Sequence, residues 1–362
     1  MKAGELHGVQ ALGPEIARHV LPRFIVPPLS ERDPTQPQLI ITEDAPDISI
    51  ALTRHWRGYA LIDLTYLIDE CGRAQIGTWL PKLFRRARNA GGLPVPTALL
   101  SDLGEIEIDA FAAAIDRAAA LKFAICIPFD EIDSTECQAK VVAALGRLNL
   151  STEECAVIAD FGLAEVSEPR LMAPIILGSL EALQDIGNWQ HVIFQGAHFP
   201  DKNPADPGGS HAIPRNDWKA WLLAVGADPQ MIKQLLFGDY GADCAKIVFG
   251  GKGGKAIPHY RYATPNDCIV ERGAKTGTHK ENMRSVATRL VNSAHFAGAG
   301  FSSGDDLILK TSRGGAPGNA TTWRQVNTTH HITRTVRDVA ALLSIEFVER
   351  VTEPEDEQLL ML

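Results

Sequence analysis

Phe123-Ala-Ile-Cys-Ile-Pro-Phe-Asp130 and Cys155-Ala-Val-Ile-Ala-Asp160 decide how this chain is read. Both runs are too short for helices, are apolar on successive positions, and end on an acid. Between them Asp133-Ser-Thr-Glu136 has capping-box form and opens a helix that the spacing carries to Leu148. A strand that is apolar on both faces is covered on both, which is the condition of parallel strands wrapped by helices. Working outward, the same unit recurs. Strands are expected over 23–29, 59–64, 94–100, 191–197 and 235–240, and helices over 76–90, 107–122, 171–186 and 215–225. Glu5 to Val20 has helical spacing interrupted at Gly13-Pro14, and Leu39-Ile40-Ile41 extends a strand or starts a helix. The alternation predicts an α/β fold, a (β/α)8 TIM-barrel-like domain over 1–345 with an elaborated C-terminal third.

In barrels and open parallel sheets alike, ligands sit at the carboxyl ends of the strands. The residues there are Asp63, Asp102, Asp130, Asp160, His198 and Asp239. Any one of these acids taken alone reads more readily as a helix cap, since strand-to-helix turns favour Asp. Taken together they outline a site.

Charge is unevenly spread. The chain of 362 residues carries −9, but residues 1–240 hold 20 Lys/Arg against 31 Asp/Glu, while 241–345 hold 14 against 7 and five of the eleven histidines. The segment 346–362 is acidic again and is expected to be a partly disordered tail. The overall acidity excludes a nonspecific nucleic-acid coat. The basic later half leaves a local contact with an anionic small molecule or nucleic acid open. Six cysteines show neither a C-x-x-C pair nor zinc spacing, and no run reaches the length of a membrane span. A cytoplasmic protein with no membrane partner is expected.

Three tempting motifs are set aside. Asp160-Phe161-Gly162 spells a kinase metal motif without its partner motifs. Gly250-Gly-Lys-Gly-Gly-Lys255 has Phe249 and Ala256 at positions where a phosphate loop needs glycine and a hydroxyl. Trp218 and Trp221, one helical turn apart, are expected to cover the sheet.

The order of motifs along the chain resembles the Beta protein family of phages and bacteria. Lys2-x-Gly4-Glu5 with Ala11-Leu12, His198-Phe-Pro200, Arg215-x-x-Trp218, Phe237-Gly-Asp-Tyr240, His259-Tyr-Arg-Tyr262, Glu271-Arg-Gly273, Phe301-Ser-Ser-Gly-Asp305 and Gly318-Asn319 through Trp323 to His330-His331 follow that family's order. Members of the family begin with a short Y-V-P-I-type strand, whereas this chain starts at Met1-Lys2. The resemblance therefore implies either a barrel imperfect or open at its N-terminal strand or a true start upstream of Met1. It also suggests a place in phage–host conflict.

The chemistry expected of these residues is metal-assisted hydrolysis of a phosphate-bearing substrate, a nucleotide or nucleic acid. Asp63, Asp160 and Asp239 would hold Mg²⁺ or Mn²⁺, with His198, Asp160 and Asp239 as the catalytic set. Arg215, Arg261 and Arg272 would bind phosphate oxygens, and Ser302, Asp305 and His330 complete the substrate-binding candidates. Arg261 paired with Asp239 is the competing structural reading. Because neighbouring residues on a helix point about 100° apart, only one of His330 and His331 is expected to face a site. The alternative function is a non-catalytic module that binds a ligand or partner in an antiviral or phage system.

Overall fold

The computed structural model describes residues 2–30, 40–42, 45–247, 249 and 257–347. The 348–362 part of the tail, Lys252 and the Gly250–Lys255 motif lie outside the described residues. Among the described residues twelve strands follow in chain order: β1 (Arg23–Ile25), β2 (Ile40–Thr42), β3 (Ala45–Asp47), β4 (Tyr59–Asp63), β5 (Leu93–Leu99), β6 (Phe123–Pro128), β7 (Cys155–Asp160), β8 (His191–Gly196), β9 (Ser210–Pro214), β10 (Leu235–Asp239), β11 (His259–Ala263) and β12 (Asp267–Arg272).

Seven of them form one parallel sheet in the order β1-β4-β5-β6-β7-β8-β10. All seven are strands the sequence predicts. The sheet curls into a half-barrel that is open between its edges β1 and β10, and the described residues add no eighth strand to it. Alternation along each strand separates two cores. Leu61, Val95, Ala124, Cys126, Ala156 and Ile158 pack inside the curl. Ile62, Ile125, Val157 and Phe194 point outward into the helical layer. The helix Ile76–Asn89 shows why that layer forms: its buried residues Ile76, Trp79, Leu80, Leu83, Phe84 and Ala87 recur at helical spacing. Trp218 and Trp221 do cover the sheet, with ring centroids 5.1 and 5.3 Å from Phe237.

Two local expectations are corrected. Ser134, not Asp133, caps the helix Thr135–Leu148, accepting the Cys137 N–H at 3.0 Å. The helix expected over 107–122 is Glu105–Ala114 and ends at an extended Ile115. The Arg88 guanidinium donates to the Ala114 carbonyl at 2.6 Å, and the Asp116 carboxylate takes the Ala118 N–H at 3.0 Å. Both contacts draw polar backbone groups away from a further helical turn.

The C-terminal third adds an antiparallel sheet, β11-β12-β9, and the helices His279–Val291, Ser303–Ser312 and Ala320–Leu342. The 23-residue helix Ala320–Leu342 runs beside the opening of the half-barrel. It packs closely against the N-terminal helix Ala3–Gln10. Gly4 and Gly8 permit that approach: a Cβ on Gly4 would lie 2.5 Å from the Thr321 carbonyl oxygen, and one on Gly8 2.6 Å from Thr328 Cβ. Among the described residues no helix is long and apolar enough to cross a membrane.

Candidate functional site at the opening of the half-barrel

Phe24 of β1 packs outward and Arg23 points inward, reaching across the curl toward the ends of three other strands. Its guanidinium donates to Asp63 Oδ2 from Nε at 3.0 Å and Nη2 at 2.6 Å, and from Nη1 to Asp160 Oδ2 at 3.2 Å and Gln195 Oε1 at 3.0 Å. Tyr240 donates its hydroxyl to Asp160 Oδ2 at 2.6 Å. The second carboxylate oxygens are also engaged: Asp63 Oδ1 accepts from Thr65, and Asp160 Oδ1 from the Gly162 N–H. A buried charge persists only when paired and hydrogen-bonded. Burial alone would lower the Arg23 pKa, but the neighbouring Cys126, Asp63, Tyr240 and Asp160 hold it well above its ordinary value. Asp63 and Asp160 therefore do converge, around a guanidinium that the sequence reading missed. A charged residue opening an otherwise apolar strand was the available signal.

Asp239 and His198 are neighbours, each with a partner of its own. His331 Nε2 donates to Asp239 Oδ2 at 2.7 Å, and the Gly241 N–H donates to Oδ1 at 2.8 Å. Gly241 has φ +64°, a left-handed turn that glycine adopts without a steric penalty. Burial would raise the Asp239 pKa, but His331 and His198 hold it below the ordinary value. His198 Nδ1 donates to Asp217 at 3.0 Å. The two imidazoles stack at 6.0 Å between centroids, 21° from parallel. His198 Nε2 and His331 Nδ1 are buried without a hydrogen-bond partner among the described residues. Asp217 was not in the expected site, and of the adjacent histidines it is His331, not the expected His330, that lines the cavity; neither Asp217 nor His331 can be linked to its partner by spacing in the chain.

A third cluster surrounds Asp243, just after the Gly241 turn. Arg261 donates to Asp243 Oδ1 at 2.8 Å and lies over the Phe199 ring at 4.9 Å. Arg324 bridges Asp243 and Glu5, the latter at 3.1 Å, and Lys2 Nζ stands 3.6 Å from Asp243. Burial opposes ionisation of Asp243, but Arg261, Arg324 and Lys2 hold its carboxyl well below the usual range. Arg261 thus pairs with Asp243 rather than Asp239.

The remaining candidates lie elsewhere. Arg215 is wholly buried, donating to Asp338 at 2.6 Å and the Thr264 carbonyl at 2.9 Å. Arg272 donates to the Ala205 carbonyl at 2.7 Å. Asp305 accepts from Tyr262, Ser302 and His330, and His330 Nε2 donates to the Ala263 carbonyl at 2.7 Å. Ser302 caps the helix Ser303–Ser312. Asp102 pairs with Arg73, and Asp130 is exposed at the start of the short helix Phe129–Ile132.

A cavity of about 710 Å³ occupies the opening between β1 and β10. Arg23, Gln195, Asp239, Tyr240 and His331 line it, as do Lys2, Glu5, Asp243, Arg261 and Arg324. Leu61, Ile158, Ile193, Leu236, Ile332 and Val336 supply much of its apolar wall. Such a volume suits a small molecule. Among the described residues no group of three or more His, Cys, Asp and Glu side chains is arranged to hold a metal ion.

No curated protein and no solved structure matches the chain. The Beta protein family model matches residues 1–337, spanning the half-barrel, most of the cavity lining and most of the long helix, and the chain belongs to that family.

Proposed function

We propose that the protein binds a phosphate-bearing small molecule in the cavity between β1 and β10, with the phosphate at the Asp243 end. One observation carries this reading: among the described residues Lys2, Arg261 and Arg324 converge there on two carboxylates, Asp243 and Glu5. The cluster keeps an excess of positive charge beside a cavity of ligand size. Guanidinium groups bind phosphate through paired, charge-assisted hydrogen bonds. Calorimetry with inorganic phosphate and simple phosphate monoesters tests it. Arg324→Ala should weaken binding roughly 10- to 100-fold, the worth of a charge-assisted hydrogen bond. Absence of binding by the unaltered protein would refute the reading.

A second reading is hydrolysis of that ligand with Mg²⁺ or Mn²⁺. It is supported by Asp239, Tyr240 and His331 lining the same cavity, with Asp160 hydrogen-bonded to Tyr240. The ion would have to displace Arg23 from Asp63 and Asp160, or His331 from Asp239. Metal-dependent phosphate release, abolished by Asp160→Asn and by Asp239→Asn in folded protein, is the outcome it requires. Binding without release would leave a ligand-binding module. A role in phage–host conflict fits either reading, and phage plating on cells with and without the protein tests it directly.

A further inference from the structure

We infer that the ligand is an amphiphile, an aliphatic chain with an anionic headgroup, and not a nucleotide. This rests on the reading that an anion binds at the Asp243 end, and adds what fills the rest of the cavity. The strand register divides the cavity into layers. Leu61, Ile158 and Ile193 each lie two residues before Asp63, Asp160 and Gln195, one pleat deeper on the same inward face. The long helix repeats the division. Arg324 and His331 line the charged end, and Ile332, Val336, Val339 and Leu343 follow at helical spacing down the other. From Arg324 to Leu342 the helix rises about 27 Å, so the cavity wall is long as well as polarised.

What the deep half withholds matters as much. A nucleobase is recognised by aromatic stacking and by polar groups on its edges. Here the apolar wall is mainly aliphatic. Arg23, the charged group nearest the floor, is engaged by Asp63, Asp160 and Gln195. The aromatic rings that do line the cavity are engaged by the protein itself: Phe24 packs into the outer core, His19 stands edge-on to Phe347 and His331 is held by Asp239. Phe237 packs on Trp218 and Trp221, Phe249 stands edge-on to Tyr66 at 4.7 Å, and the Tyr240 hydroxyl is held by Asp160. An alkyl chain needs none of these groups. It gains from leaving water alone, and each buried methylene is worth about fourfold in affinity.

The test is calorimetry on the full chain with butyl, octyl and dodecyl phosphate below their micelle concentrations, together with inorganic phosphate and adenosine monophosphate. Affinity should rise roughly two- to fourfold per methylene, and dodecyl phosphate should far exceed the nucleotide. Laurate should also bind, and dodecyltrimethylammonium should not. In Val336→Trp the advantage of dodecyl over butyl phosphate should collapse; the chain-length series on unaltered protein stands by itself if that variant does not fold. If the phosphates bind with no dependence on chain length, or the nucleotide binds as tightly as dodecyl phosphate, the aliphatic inference is wrong and the anion site survives. If no phosphate probe binds, the underlying reading fails too. Dodecyl binding that a folded Val336→Trp leaves untouched would mark surface adsorption and overturn the assignment.

Discussion

The cavity touches two ionic clusters of opposite character. Around Arg23 one cation faces two carboxylates, with side-chain exposures of 11% for Arg23, 4% for Asp63 and 15% for Asp160. Around Asp243 three cations face two carboxylates, and exposures run from 15% at Arg261 to 35% at Glu5. The first is saturated: Asp63 and Asp160 use both oxygens, and the guanidinium meets three side chains from the ends of three strands. The second is open to water and unbalanced. Buried charge whose hydrogen bonds are all met holds a fold in register, whereas a partly exposed surplus of positive charge attracts an anion. The first cluster reads as part of the scaffold, and the second is where the proposed ligand would be recognised.

The largest expected effect breaks the first cluster. Arg23→Met leaves Asp63 and Asp160 facing each other inside the curl, and should cost about 3–5 kcal/mol in urea unfolding. A loss below 1 kcal/mol would mean that the inner cluster is not structural. Next comes the seam that delivers Lys2 and Glu5 to the second cluster. Gly4→Ala forces its Cβ against the Thr321 carbonyl and Arg324, and should cost about 1–3 kcal/mol and weaken phosphate binding. Unchanged stability and binding would show that the two helices do not need this contact.

The smallest effect on stability is expected at Asp243 itself. Its folded pKa lies below the unfolded value of about 3.9, so its contribution is complete above that pH and drains away as pH falls further. Asp243→Asn should cost only about 1 kcal/mol at neutral pH, in keeping with a partly exposed pair, and the difference from wild type should vanish in acid. Phosphate affinity should rise instead, because Lys2, Arg261 and Arg324 lose their competitor. A fall in affinity would return this cluster to the scaffold and erase the contrast.

The strands were legible because a run apolar on both faces has few other homes. The strand-end acids were legible as a set for the same reason that limits their meaning, since caps and ligands occupy the same turns. Arg23 was not, because its reach to Asp160 depends on the curl of the sheet and not on local sequence. Asp217 and His331 were hidden in the same way: each meets its partner only after the helix carrying it has docked. Helix length was misjudged after Ala114, where an arginine from a neighbouring helix claims the carbonyl that another turn would have used. The opening Lys2-x-Gly4-Glu5, read only as a likeness, has a physical content: a glycine at a helix contact flanked by two ion-pairing residues.

One rod, Ala320–Leu342, carries Arg324 near one end and Val339 near the other. For the proposed aliphatic guest it would be a ruler as well as a wall. Removing a turn would bring its two ends together by about 5.4 Å, and the guest that fits best should shorten by the same step.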